Sequence, residues 1–450
     1  MRISSILKFI IPSTVGILLF LTPVEYNGNT TILLAVLTTL FRTPFEGYIL
    51  EIIVSVVIIS AVSSGWYQLF KPTWATTNKS IRLICNTSFP WFLMRLLGAI
   101  FAIMVYFQIG PELVWGKDNG FTVFTEIGAT IFFIITVACF LMPFLTEFGF
   151  MEFIGTIVSI LFRFLFKLPG RSAIDALASF LTSSNVGLLI TIGQYEKGYY
   201  STRQAASVAV NFSVVSVSFC FLIASVAGIE RIFISWYIAI GIACMICAII
   251  LVRIPPLSKL NNNYINKQKK EEIQYDFSDG FLRGILKLFK QAIKLASIRA
   301  ENAPPTSKII LTSWHSAISV IFGVIAPSMA IGTMTIILLN NTPVFNILSY
   351  PILMLLDLFN FPDAARAAPG MIIGFLDQFM PAIVASDIEN EMVKFVLAGL
   401  AVTQLIYMSE VGLIILRSSL PLKLHHLFFI FILRSIISFP VLFIAGLIIL

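Results

Sequence analysis

Along this chain the hydrophobic positions gather into long runs rather than alternations. Nine runs approach or exceed the roughly 18 apolar residues that an α-helix needs to span a bilayer. They are 6–24, 50–70, 88–107, 122–145, 204–226, 232–252, 309–339, 391–416 and 425–449. Pro327 lies inside 309–339 and predicts a break or kink there, because proline removes a helical N–H. Four further apolar pieces are too short or too broken to span. Phe148 to Lys167 carries Glu152, Arg163 and Lys167, and Val344 to Asn360 carries Asp357. Ser172 to Gln194 holds Ser183, Ser184, Asn185, Gly187 and Gly193; Ala364 to Ser386 holds Pro369, Gly370, Gly374, Asp377, Gln378 and Pro381.

Composition turns these runs into a class. Of 450 residues, 58% are hydrophobic, 12% are charged and 41 are Phe. A soluble protein is roughly 45–50% apolar and about 25% charged. So little charge cannot cover a soluble surface. The expected fold is an all-α polytopic membrane protein of about nine transmembrane helices plus two re-entrant helical hairpins. A soluble enzyme, a nucleic-acid binder and a disordered scaffold are excluded. Arg2 and Lys8 before an apolar stretch resemble a signal peptide, but Pro12 interrupts it and no small-residue cleavage site follows, so a membrane segment is expected. The five cysteines sit mostly in apolar runs, and no disulfide or metal site is expected.

The net charge of +7 becomes a topology through the loops, since cytoplasmic loops collect Lys and Arg. Between 253 and 308 lie eleven cations: Arg253, Lys259, Lys267, Lys269, Lys270, Arg283, Lys287, Lys290, Lys294, Arg299 and Lys308. Five acids accompany them: Glu271, Glu272, Asp276, Asp279 and Glu301. This loop is read as cytoplasmic. Alternation then places 71–87 (Lys71, Lys79, Arg82), 196–203 (Lys197, Arg203) and 417–424 (Arg417, Lys423) inside, and 386–391 (Asp387, Glu389, Glu391) outside. The N-terminus is cytoplasmic and the C-terminus outside. Within the cationic loop, Phe281 to Ala300 has a helical apolar stripe and an Arg/Lys-rich face, which suits a helix on an anionic leaflet of membrane lipids. Asn261 to Lys270 reads as a connector.

Both Ser172–Gln194 and Ala364–Ser386 must enter and leave on one side, the first from the cytoplasm and the second from outside. Non-helical backbone at membrane depth is tolerated where it is buried in protein or lines a cavity. The two hairpins also repeat. Pro169 matches Pro362, and Phe180-Leu181 matches Phe375-Leu376. Each is followed by a helix with a polar centre: Asn211, Ser213, Ser216 and Ser218 in one, Thr403, Gln404, Ser409 and Glu410 in the other. Four regions result: an N-terminal transmembrane region (1–145), a first repeat with a cytoplasmic-side hairpin (146–252), the cationic loop (253–308) and an inverted repeat with an outer-side hairpin (309–450). Inverted repeats with broken elements mark secondary transporters.

The segment Pro143 to Thr191, and most specifically LPGRSAIDALASF (Leu168 to Phe180), resembles the YjiH-like membrane proteins of bacteria, as does Ile10 to Val24. These carry the nucleoside-recognition "Gate" domain. The resemblance covers most of the chain. It implies a bacterial inner (plasma) membrane location and a core like that of concentrative nucleoside transporters, with two hairpins, two partly unwound helices and elevator-type movement. Those transporters place an acid at the first hairpin tip, where this chain has Ser183-Ser184-Asn185; Glu410 matches their other acidic contact.

Candidate substrate- and ion-binding residues follow. Hairpin tips expose helix-end N–H and C=O groups, to which Ser183, Ser184, Asn185 and Gly187 add on one side and Asp377 and Gln378 on the other. Asn211, Ser213 and Ser216 would complete a cation site beside the first tip; Thr403, Gln404, Ser409 and Glu410 belong to the second polar centre. The embedded Arg95 and Arg434 are expected to pair with acids such as Glu126 or Glu410. No hydrolase, zincin or nucleotide-binding motif is present. The expected function is secondary active transport of a small polar solute (nucleoside, amino acid or organic anion), coupled to Na⁺ or H⁺. No other cofactor, no metal and no enzyme activity are expected, and a homo-oligomer is allowed for. The alternative is a non-transporting gate or scaffold subunit acting with a partner protein.

Overall fold

The computed structural model describes residues 3–26, 29–70, 79–85, 87–181, 184–265 and 281–450. Ser183 at the first tip, Lys71, and the loop residues Lys267, Lys269, Lys270, Glu271, Glu272, Asp276 and Asp279 lie outside them. The protein is an all-α polytopic membrane protein. Among the described residues the only strands form one antiparallel ribbon, Pro23–Tyr26 against Asn29–Ile32.

Among the described residues six helices are long and apolar enough to cross a membrane: Leu33–Phe70, Phe89–Phe107, Val123–Thr146, Glu230–Leu251, Thr306–Leu338 and Leu424–Ile449. Three of the nine sequence runs therefore need correction. The first is the helix Ile3–Leu21, which starts and ends three residues earlier than the run, and the expected end at Pro23-Val24 is strand. The run 204–226 is two helices, Thr202–Asn211 and Val217–Ala227, and 391–416 is likewise Glu391–Thr403 and Val411–Arg417. Apolar content does not register a break when local side chains satisfy the freed backbone. Pro327 is the opposite case. The helix Thr306–Asn341 runs through it without interruption. Proline inside transmembrane helices is tolerated where neighbours re-satisfy the backbone.

The N-terminal region packs closely through small residues. Ile49–Phe70, Phe89–Phe107 and Thr306–Asn341 lie against one another. A Cβ on Gly98 would collide with the Ala326 carbonyl oxygen, and Ser60 Oγ donates to the Phe322 carbonyl at 2.7 Å. No acid among the described residues pairs with Arg95. Its Nη1 donates to Ser64 Oγ (2.5 Å) and the Ile84 carbonyl (2.6 Å).

The two repeats show the expected order of amphiphilic helix, hairpin, broken helix and closing helix. Amphiphilic helices are Phe150–Phe164 and Tyr350–Leu358; the hairpins are Ser172–Leu181 with Ser184–Glu196, and Ala364–Ile373 with Met380–Ser386. Their opposed direction can be read along Phe233–Leu251. Near its start, Trp236 Nε1 donates to the Phe395 carbonyl (3.0 Å), at the beginning of Glu391–Thr403. Just past its end, the Val252 carbonyl accepts from Arg203 (2.8 Å), at the beginning of Thr202–Asn211. The two half-helices thus start at opposite ends of one helix and run toward each other. The hairpins follow them. Glu196, at the base of the first, meets Ser419, whereas Arg366, at the base of the second, meets the Asp387 carbonyl next to Glu391.

The amphipathic segment forms the helix Phe281–Glu301. Its apolar side packs on Phe150–Phe164 and Ile3–Leu21, with Phe289 edge-on to Phe153 (5.4 Å) and Phe9 against Ala296 and Ala300. Arg299 pairs with Glu147 (2.8 Å) and Glu152 (3.7 Å). Leu286, Phe289, Leu295 and Ile298 remain exposed, so the apolar stripe is wider than the protein contact requires.

Gly98→Ala is expected to cost about 1–3 kcal/mol through overpacking against Ala326. Gly241→Ala, where a Cβ meets nothing within 4 Å, is expected to cost nothing. Thermal melts of the two variants in one detergent check the contrast; equal melting temperatures would contradict this packing.

Candidate functional site

Both polar-centred helices are unwound where their polar residues cluster. In the first, residues 212–216 are non-helical; in the second, residues 404–410. The local chemistry accounts for each break. The last carbonyls of an α-helix have no intrahelical donor. At the end of Thr202–Asn211 the Val208 carbonyl accepts from Phe212 N, and the Ala209 carbonyl from Ser213 Oγ at 2.7 Å. Ser216 then caps the next helix, its Oγ accepting from Phe219 N. At the second break Leu405 has φ of 56°, a left-handed turn that redirects the chain.

Of the helix-end acceptors left over, the Val210 and Thr403 carbonyls both go to Arg434. This side chain is fully buried on Leu424–Ile449. Its Nε donates to Thr403 O at 2.6 Å; its Nη1 donates to Val210 O at 3.3 Å and to Asn211 Oδ1 at 2.9 Å. No carboxylate among the described residues pairs with it, so the expected acidic partner is replaced by the C-terminal ends of the two opposed half-helices. A cation is stabilised at helix C-termini, where the carbonyl dipoles concentrate negative charge.

The second unwound segment runs between the two hairpin tips. On one side Tyr407 OH meets Ser184 Oγ at 2.7 Å, and Glu410 Oε2 accepts from Asn185 Nδ2 at 2.9 Å. On the other, Met408 N donates to Phe375 O (2.8 Å) and Ser409 N to Leu376 O (3.0 Å). Asp377 caps its own turn, accepting from Phe379 N at 2.9 Å. A small cavity of about 30 Å³ lies here, with Asp377, Gln378, Tyr407, Ser409 and Glu410 in its wall. Phe219, Phe379, Trp91 and Pro327 close it with apolar surface. At roughly 10–15 Å³ per water, it holds about two waters. Two buried polar atoms have no protein partner, Gln378 Nε2 and Asn185 Oδ1.

The sequence-predicted residues thus divide into groups. Ser184, Asn185, Asp377, Gln378, Ser409 and Glu410 converge on the tips and cavity. Asn211, Ser213 and Ser216 serve the first break, and Asn211 gives its oxygen to Arg434 rather than to the tip. Gln404 braces the second hairpin to the last helix, donating to Met371 O and Ser435 Oγ, both at 2.9 Å; the carbonyl of its neighbour Thr403 accepts from Arg434. Gly187 lies within the first hairpin, where a Cβ would collide with Ser179 Oγ and the Asp175 carbonyl, so glycine lets the two arms close. Sequence reasoning missed Tyr407 and Asp175. Tyr407 was signalled by its place two residues before Ser409. Asp175 is buried and accepts from Tyr200 OH at 2.6 Å and Thr191 Oγ1 at 3.4 Å, tying the hairpin's arms to the following loop.

A family model described as Gate, nucleoside recognition, matches residues 129–230, which contain the first hairpin and first broken helix. An uncharacterized protein of Alkalihalophilus pseudofirmus is 40% identical over 97% of this chain and 93% of its own length. The chain belongs to the YjiH-like family of Gate-domain membrane proteins. A solved structure of a CNTnw variant in an intermediate state aligns with this Gate-domain protein over 99% of both chains, at 12% identity and a TM-score of 0.43.

Tyr407→Phe and Ser184→Ala each remove one partner of a buried hydrogen bond worth about 1 kcal/mol. In a double-mutant cycle read by thermal melting, the pair is expected to be non-additive. Strict additivity would mean that this tip contact does not form.

Proposed function

We propose that this Gate-domain protein is a secondary active transporter of a small polar solute, bound between the two hairpin tips. The carrying observation is the unwound segment 404–410, held between tips that enter from opposite ends. Two opposed half-sites around one segment supply two nearly equivalent states, one open to each side, which is what alternating access requires. The family's description as nucleoside recognition favours a nucleoside among the candidates, beside amino acids and organic anions. Asn185 and Gln378 offer an amide acceptor and donor without protein partners, suited to a solute's own donors and acceptors. Asp377 and Glu410 place two carboxyl groups in one cavity wall, and charge at membrane depth is costly and usually functional. The pair calls for a counter-charge: a proton, a cation or a cationic group of the solute. Movement of the hairpins with the broken helices against the N-terminal region gives the elevator-type cycle.

The cation-rich connectors support a plasma-membrane orientation with residues 253–308 and the N-terminus in the cytoplasm and the C-terminus outside. A second reading, a gate or scaffold subunit that docks a partner through 253–308, draws on the exposed Leu286, Leu295 and Ile298 beside the lysines of Phe281–Glu301.

Proteoliposomes with the purified protein are expected to show counterflow of at least one radiolabelled nucleoside, amino acid or organic acid. Asn185→Ala and Glu410→Ala are expected to abolish it while leaving protein yield intact. No flux for any solute, together with stoichiometric crosslinking from 253–308 to one partner, would replace transport with the scaffold reading. In a background without native cysteines, Glu389→Cys should react with an impermeant maleimide in intact cells, and Asn262→Cys only after permeabilisation. The reverse pattern would overturn the orientation.

A further inference from the structure

Helix ends that converge inside a membrane form a cation site. In secondary transporters the unwound carbonyls and C-terminal ends of broken helices hold Na⁺ or H⁺. In this protein the point where two such ends meet is filled by a side chain. Arg434 stands ten residues into Leu424–Ile449, roughly 15 Å along the helix and about half of a ~30 Å hydrocarbon core. It takes the Val210 and Thr403 carbonyls and the Asn211 amide oxygen, which are the oxygen ligands a metal ion would need.

We propose that Arg434 is a tethered cation: its guanidinium stands where a coupling metal ion would bind at the meeting ends of Thr202–Asn211 and Glu391–Thr403, so this position takes up no Na⁺ during the cycle. Three features carry the assignment. The position is a convergence of two opposed helix C-termini, not one, so it concentrates negative potential from both. Asn211 and Ser213, the polar side chains at the end of Thr202–Asn211, are already committed. Asn211 Nδ2 donates to Ser207 O, and Ser213 Oγ donates to Ala209 O. No carboxylate among the described residues neutralises the guanidinium, so its counter-charge is the carbonyl ends themselves. A planar guanidinium with five donors can reach several acceptors at once and remains charged. A mobile ion here would leave with the solute; a covalently attached one cannot. Any coupling cation is therefore left to the Asp377 and Glu410 cavity.

This deepens the transport reading and rests on it for the consequence in the cycle, but its test reads cation binding and not flux. The full-length protein carrying Asp377→Asn and Glu410→Gln, which removes the cavity carboxylates, is melted in detergent while NaCl replaces choline chloride at constant ionic strength. With Arg434 present, Na⁺ is expected to leave the melting temperature unchanged. Adding Arg434→Ala should lower the melting temperature and create a saturable upward shift with low-millimolar guanidinium or with Na⁺, but not with urea. Arg434→Gln is the milder variant if the alanine protein does not fold. A saturable Na⁺ shift while Arg434 is present would overturn the proposal, as would variants indifferent to both cations. Absence of flux in counterflow would remove transport and leave these melts unaffected.

Discussion

A helix that stops in the middle of a membrane leaves carbonyl groups with no water to bind. That constraint governs the core of this protein, because it contains two such helices aimed at each other. Arg434 meets the constraint for both at once. Placing an arginine at a helix centre costs ~2.5–3.5 kcal/mol on insertion scales. Leaving buried acceptors unpaired costs about 1–3 kcal/mol each, and three acceptors converge on this side chain. The acceptors outweigh the insertion cost, so the charge is retained as the element that makes the two breaks affordable. The same bond set links three parts of the sequence, 202–211, 391–403 and 424–449, and fixes where each broken helix ends. The position of the second unwound segment, and with it the cavity, follows.

The two tips hold that segment by different means. The second hairpin grips it through backbone hydrogen bonds at Met408 and Ser409; the first grips it through the side chains of Ser184 and Asn185. Backbone bonds depend only on chain path and would survive most substitutions. Side-chain bonds depend on residue type, so the first tip is where residue identity tunes the contact. Asn185 donates to a carboxylate supplied from across the gap, Glu410. One acid is present at this contact, carried by the unwound segment rather than by the hairpin.

Much of this arrangement was legible in the residues, for identifiable reasons. Hairpins were readable because Gly, Pro, Ser and Asn interrupt apolar runs, and the second was bounded correctly at Ala364 and Ser386. Their entry from opposite ends was readable from loop charge. Apart from the family resemblance, which implied two unwound helices, the breaks at 212–216 and 404–410 were visible only as polar centres, since residues such as Val214, Val215, Leu405 and Ile406 keep the runs apolar throughout. Part of what holds each break is Arg434, 223–224 residues from the first and 31 from the second, and hydropathy cannot see a hydrogen bond. Arg434 was legible as an embedded charge, but the habit of pairing cations with acids pointed to a carboxylate such as Glu126 or Glu410. Carbonyl dipoles carry no signature in the sequence. Pro327 did not break its helix, since the effect of an internal proline depends on its neighbours.

The cavity sets a last limit on how the site can work. Room for about two waters is far too small for a nucleoside or an amino acid. On the transport reading, a solute of that size enters only if a tip withdraws. Withdrawing the first tip breaks the Ser184–Tyr407 and Asn185–Glu410 bonds, and withdrawing the second breaks two backbone bonds. At roughly 0.5–1.5 kcal/mol net for a neutral bond and about 1.5–3 kcal/mol for one to a carboxylate, the two openings each cost a few kcal/mol. They differ in what can replace the lost bonds. A solute hydroxyl or amide can substitute for Ser184 or Asn185 with the same groups they present to Tyr407 and Glu410. A solute that bound both exposed partners would therefore lower the cost of holding the first tip open, and the chemistry of that tip would select the solute.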